Sequence, residues 1–272
     1  MNNIITNIRR LSLLLIITSS PTLAMSDELS SESISEPPIQ GNFALPTAQQ
    51  PGPFLAFGQS LIDKNQVQLY ISSTIFRNES QTLKTITPNL VFGLSDQASI
   101  LISTPIAVNY ANETSHSHGL GDAYFQGEYA IYDKANANYA DQLTVVGGLT
   151  LPTGSFEKEP STGIGSNSYF FGTTFNRMSV DWLGFASSGL NWITKHDNFK
   201  QGNQFLYQLG LGRNIKSEPG KYIFSGLIEL LGTYSEKDRL RSEIDPDSGG
   251  NLVVVTPSLW FSTPKMFYQL GL

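Results

Sequence analysis

From Val67 to Leu272 the chain falls into runs of about 10–13 residues in which apolar and polar side chains alternate, with turn residues between them. The alternation predicts strands at 67–77, 83–94, 98–110, 120–132, 142–151, 167–176, 180–193, 203–213, 221–234, 251–262 and 265–272. No stretch carries a 3.6-residue period with helix caps at its ends. These runs are longer than the usual 5–6 residues of globular strands. They match the roughly 9–11 residues that a tilted strand needs to cross a bilayer.

The connections sharpen this reading. Ser95-Asp96-Gln97, Arg177-Met178-Ser179 and Ser262-Thr263-Pro264 are short, whereas 111–119, 152–166, 194–202 and 235–250 are long. Residues 133–141 and 214–220 are intermediate, and the first connection, 78–82, is brief where a long one is expected. Outer-membrane barrels alternate short periplasmic turns with longer outer loops, and a soluble sandwich has no reason to do so.

The faces of the runs agree. Ile100, Ile102, Ile106 and Val108 share one side of their run, opposite Ser99, Ser103 and Asn109. Tyr222, Phe224, Ile228, Leu230 and Tyr234 share another, with tyrosine at both ends and Glu229 opposite. Phe205, Tyr207, Leu209 and Leu211 oppose Gln204, Gln208, Gly210 and Gly212. Tyrosines at strand ends are the aromatic girdles of a membrane barrel. In the run after Gly119, the sides are Asp122, Tyr124, Gln126 and Glu128 against Phe125, Tyr129 and Ile131. An acid facing lipid at mid-membrane costs on the order of a few kcal/mol, so the polar side belongs to the lumen. Asp122, Tyr124, Gln126, Glu128, Gln208 and Glu229 are therefore the lumen-lining candidates. The expected fold is all-β, an antiparallel transmembrane β-barrel of about 12 strands, 11 of them visible in this chain.

The amino-terminal region adds the compartment. Arg9 and Arg10 precede the apolar run Leu11–Ile17, and Thr22-Leu23-Ala24 supplies small residues for cleavage. This is the pattern of a secretory signal peptide, residues 1–24, and the apolar run is too short for a spanning helix. Its removal leaves 15 basic against 23 acidic residues, a net charge of −8. No basic tract remains to hold nucleic acid. The chain has no Cys, so an exported protein of this kind is stabilised without disulfides. Residues 25–66 form a periplasmic leader. The Ser-, Glu- and Pro-rich part to residue 52 favours disorder, and the apolar stretch 54–62 suits a helix, a strand or a plug.

Four short motifs follow in order. Gly119-Leu120-Gly121-Asp122 opens a strand, and Leu149-Thr150-Leu151-Pro152-Thr153-Gly154 closes one. Gly163-Ile164-Gly165-Ser166 precedes the next, and Ser248-Gly249-Gly250 precedes the strand with Thr256-Pro257. Over most of residues 67–272 this order resembles the outer-membrane transporter family labelled as the MetA pathway of phenol degradation, which is distantly similar to fatty-acid and aromatic-hydrocarbon channels. The resemblance implies a barrel that passes small, often apolar or aromatic compounds. It carries over no defined site residues.

The expected function is therefore an outer-membrane channel for passive passage of small, apolar or aromatic solutes. Its partners are outer-membrane lipid and those solutes, and no cofactor or metal is implied. Two alternatives stay open. One is a lipid hydrolase using the His116-Ser117-His118 region, although adjacent His116 and Ser117 point to opposite faces of an extended chain. The other is a non-transporting structural barrel. All three histidines fall in expected outer loops, and Asp245-Pro246-Asp247 lacks the further ligands of a calcium loop. Eleven strands leave a parity problem, because single-chain bacterial barrels use even numbers. A truncated C-terminus, or a strand supplied by 54–62, would resolve it.

Overall fold

The computed structural model describes residues 36–77 and 80–272. The expected signal peptide and the first part of the leader lie outside the described residues. The spanning strands are β1 (Val67–Arg77), β2 (Thr82–Ser95), β3 (Ala98–Ser103), β4 (Ile106–Ala111), β5 (His116–Leu120), β6 (Ala123–Ala135), β7 (Tyr139–Leu151), β8 (Ser168–Ser179) and β9 (Trp182–Ile193). After the two-residue β10 (Phe199–Lys200) come β11 (Gln204–Glu218) and β12 (Tyr222–Ser235). The short β13 (Arg239–Leu240) and β14 (Glu243–Ile244) follow, then β15 (Gly250–Ser262) and β16 (Phe267–Gly271). The fold is an all-β antiparallel barrel sheet.

Each spanning run pairs with its sequence neighbour, from β1–β2 round to β15–β16. Two runs are interrupted. Thr104 and Pro105 separate β3 from β4, where proline has no N–H to donate to the ladder. Gly121 and Asp122 separate β5 from β6. The gap is bridged by the Gly121 amide donating to the Pro105 carbonyl at 2.7 Å. β2 pairs with β3 along one half and with β4 along the other, which shows that the two pieces are one run.

The intermediate connections tighten in the structure. β6 and β7 run on to leave only 136–138 as a turn, and β11 and β12 leave only 219–221. The expected long loop 111–119 is a correction of the opposite kind. His116–Leu120 pair as β5 against β4, so His116 and His118 lie on a strand. The bend between is closed locally, because Asn112 Oδ1 accepts from the amides of Thr114 at 3.0 Å and Ser115 at 2.7 Å. β10, β13 and β14 form a separate small sheet in the long connections.

The burial pattern is that of a membrane barrel. On β12, Ile228 is 60% exposed and its neighbour Glu229 is 0% exposed. On β1, Leu69 and Ile71 are exposed while Gln68 is buried, and on β15 Val255 and Leu259 are exposed while Thr256 and Ser258 are buried. Apolar side chains point out and polar ones in, which is how lipid-facing and lumen-facing positions alternate.

The interior is occupied by residues 36–66. This segment enters at the short-turn end, where the Asn42 amide donates to Val180 and the Gly220 amide donates to Ala44. It rises to Phe57 and returns to the same end, where the Lys64 amide donates to Asp96 Oδ1 at 3.0 Å and the Asn65 amide to the Gly93 carbonyl at 2.9 Å. Its foot is apolar. Ala44, Leu45 and Phe54 bury against Leu183, Phe185, Ile223, Leu227, Trp260 and Phe267. Fully burying a Leu or Phe side chain contributes about 1.5–3 kcal/mol. The composition of 25–52 favours disorder for a free segment, but from Glu36 onward the barrel wall supplies the contacts that the segment cannot make alone.

β1 and β16 end the sheet path. Successive antiparallel pairing over eleven runs sets these two in the same direction, and no ladder joins them among the described residues. Residues 54–62 form no strand there. The interior segment instead spans this seam from within. Gln68 Nε2 on β1 donates to the Ala48 carbonyl at 3.0 Å, and Gln269 Nε2 on β16 donates to the Gly52 carbonyl at 3.1 Å. The rings of Tyr70 and Phe267 meet across it with centroids 6.1 Å apart.

Candidate functional site

The alternation that turns apolar residues to lipid aims a polar set at residues 49–62. Two carboxylates anchor it from different walls. Glu229 on β12 accepts the amides of Phe54 and Leu55, the latter at 3.1 Å. Glu128 on β6 accepts the Ser60 amide at 2.9 Å. Gln208 on β11 accepts the Phe57 amide at 3.2 Å, and Ser99 on β3 accepts the Ile62 amide at 3.1 Å. Thr174 on β8 donates to the Phe57 carbonyl at 3.0 Å, and Ser262 on β15 donates to the Gln49 carbonyl at 2.7 Å. A segment without regular structure must find partners for its backbone groups. Here the barrel wall provides them.

Glu128 has a second support along its own strand. The Tyr124 hydroxyl donates to Gln126 Oε1 at 2.7 Å, and Gln126 Nε2 donates to Glu128 Oε1 at 2.6 Å. Residues two apart on a strand share a face, so this column follows directly from the alternation. Asp122 stands apart from it. It precedes β6 and accepts the amides of Gly154 at 2.9 Å and Ile164 at 2.7 Å. Asp122 thus clamps the connection between β7 and β8, and that role was not legible from its place in the alternation. The nearby Gly163 leaves the room, since a Cβ there would lie 2.3 Å from Asp122 Oδ1.

The apex of the segment fits a cradle of small residues. Phe57 meets Phe170 edge-on at 4.7 Å. A Cβ on Gly172 would come within 2.7 Å of the Phe57 ring. Gly58 turns the chain with φ +78°, and a Cβ on it would lie 2.4 Å from Thr174 Oγ1. Only glycine adopts this conformation freely and allows this approach.

Two cavities flank the segment. One, of about 380 Å³, reaches up to Ser72, Thr74, Ser103 and Tyr124. The other, of about 400 Å³, lies toward the short-turn end and is bounded by Asp133, Ala135, Ala140 and Gln142. Thr47, Gln50, Gly52, Gln59 and Leu61 line both, so they form the partition. Sequence patterning did not single out Gln59 or Ser60, because the stretch 54–62 has no alternation to give its side chains a face.

The histidine region is built differently. Ser117 is buried and its hydroxyl donates to the Pro160 carbonyl at 2.5 Å, while His116 and His118 on either side are exposed. His196 stacks edge-on against Phe156 at 5.0 Å. No group of three His, Asp or Glu side chains able to hold a metal occurs among the described residues. Asp245 accepts the Asp247 amide at 3.0 Å in a local turn.

The whole chain superposes on an outer-membrane channel from Pseudomonas putida F1, with a TM-score of 0.53 and 12% sequence identity, covering 100% of this chain and 97% of that one. At this identity the likeness speaks to the fold. No curated protein sequence matches this chain. The model of the family described as "Putative MetA-pathway of phenol degradation" matches residues 52–250, which include the interior segment from Gly52 and the strands carrying Glu128, Gln208 and Glu229, and the chain belongs to that family.

Proposed function

We propose that the protein is an outer-membrane channel that passes small solutes, apolar or aromatic ring compounds among them, down their gradient. The observation that carries this reading is an interior with a polar wall and two cavities on either side of a segment held by hydrogen bonds and side-chain packing. Such a segment narrows a lumen without sealing it by covalent links. The Pseudomonas putida channel shares the fold, and the rings of Phe54, Phe57, Tyr70, Tyr124, Trp260 and Phe267 that line the upper cavity suit a flat solute. The reading places the long connections outside the cell and the short turns in the periplasm. No cofactor enters this mechanism, because the passage is passive.

Solute uptake into proteoliposomes tests the proposal. Purified protein should raise the entry of small uncharged aromatic compounds or sugars above that of protein-free vesicles. Entry equal to that of bare vesicles for every solute would leave a structural barrel as the better reading.

A further inference from the structure

The two lumen carboxylates and the upper cavity carry one inference, which rests on the channel reading. Glu128 and Glu229 lie on walls separated by β7, β8, β9 and β11, so they face the interior segment from different sides. Both are buried, at 4% and 0% exposure, and neither is paired with a cation among the described residues. Their donors are main-chain amides of the segment and the Gln126 side chain. The segment therefore covers both acidic side chains. The upper cavity that remains beside it is lined by no charged side chain among the described residues. Its wall mixes aromatic rings with carboxamides and hydroxyls, among them Gln68, Asn89, Ser72 and Thr74.

One carboxamide is unsatisfied. Gln59 Nε2 is buried and has no hydrogen-bond partner among the described residues. A buried donor left unpaired costs about 1–3 kcal/mol, and Gln59 sits on the partition that lines both cavities. A turn of this carboxamide would bring the buried donor to a solute oxygen in either cavity.

We propose that the interior segment acts as a charge mask. By capping Glu128 and Glu229 it makes the upper cavity electrically neutral, in contrast to the lower one with Glu36 and Asp133, and the upper cavity then selects uncharged ring compounds bearing hydroxyl or carbonyl oxygen, with Gln59 as a specificity-determining donor. A cation gains nothing from carboxylates already occupied by amides. An anion meets no basic group, and either ion loses hydration in the cavity. A neutral ring with hydroxyls stacks on the aromatic wall and exchanges hydrogen bonds with the carboxamides.

Three pyranoses of matched size separate the outcomes: glucose, glucosamine and glucuronate, each followed into proteoliposomes. The intact chain should admit glucose fastest. Gln59→Leu should slow glucose about fivefold, the worth of one hydrogen bond. Replacing residues 53–61 by a glycine–serine linker should uncover the carboxylates and reverse the order to glucosamine, glucose, glucuronate. Glucosamine entering fastest through the intact chain, or a linker variant with the order unchanged, would overturn the mask. Unchanged glucose entry in Gln59→Leu would overturn the role of Gln59. Absence of uptake of all three sugars in both the intact chain and the linker variant would overturn the channel reading itself, which is a different result from uptake without charge preference.

Discussion

At the scale of single residues, Glu229 is the most informative. Its carboxylate receives two consecutive amides of the interior segment, and the side chain is fully buried. Hydrogen bonds to a charged group contribute about 1.5–3 kcal/mol against roughly 1 kcal/mol for neutral ones. Glu229→Gln keeps the shape and one acceptor oxygen but removes the charge. It should raise amide hydrogen exchange at Phe54 and Leu55 by about fivefold to thirtyfold, while exchange in the β11–β12 ladder stays as it was. Unchanged exchange at these two amides would mean that the carboxylate does not hold the segment. The inward placement of Glu229 and Glu128 was legible in the sequence, because an acid in an apolar alternation has only one side to go to. What they bind was not legible. Their partners are backbone amides more than 60 residues away in the chain, and a backbone amide has no signature in a side-chain pattern.

At the scale of elements, strand positions follow the alternation closely. β1 spans Val67–Arg77, as the pattern predicts, and most other ends differ by a few residues. The differences have local causes. Strands extend where a tight turn such as 136–138 or 219–221 can close them, and they break where Pro105 withdraws a donor. The lipid-facing side makes a depth-dependent prediction. Ile228 lies in the middle of β12 and Tyr234 near its end, both pointing outward. Arginine at a mid-membrane lipid-facing position costs about 2–4 kcal/mol, falling to about 0–1 kcal/mol near the interface. Ile228→Arg should therefore destabilise the barrel by about 2–4 kcal/mol and Tyr234→Arg by about 1 kcal/mol or less. Denaturant unfolding from lipid vesicles measures both, and equal losses would contradict this placement of the bilayer.

At the scale of the whole molecule, the barrel and its contents form one hydrogen-bonded unit. Side chains on β1, β3, β6, β8, β11, β12, β15 and β16 all bond to the same segment, including the two strands that flank the seam. The segment thus ties the two sheet edges together from within through the side chains of Gln68 and Gln269. Sequence patterning left residues 54–62 open among helix, strand and plug, because their conformation is set by the surrounding wall rather than by local propensity. The arrangement predicts that the size of the path is set by this segment. Conductance of single molecules in a planar lipid bilayer tests that most directly, comparing the intact chain with the variant whose residues 53–61 are a glycine–serine linker. The intact chain should give small, resolved conductance steps and the variant distinctly larger ones. Absence of steps from both, or steps of the same size, would contradict a channel constricted by its own interior segment.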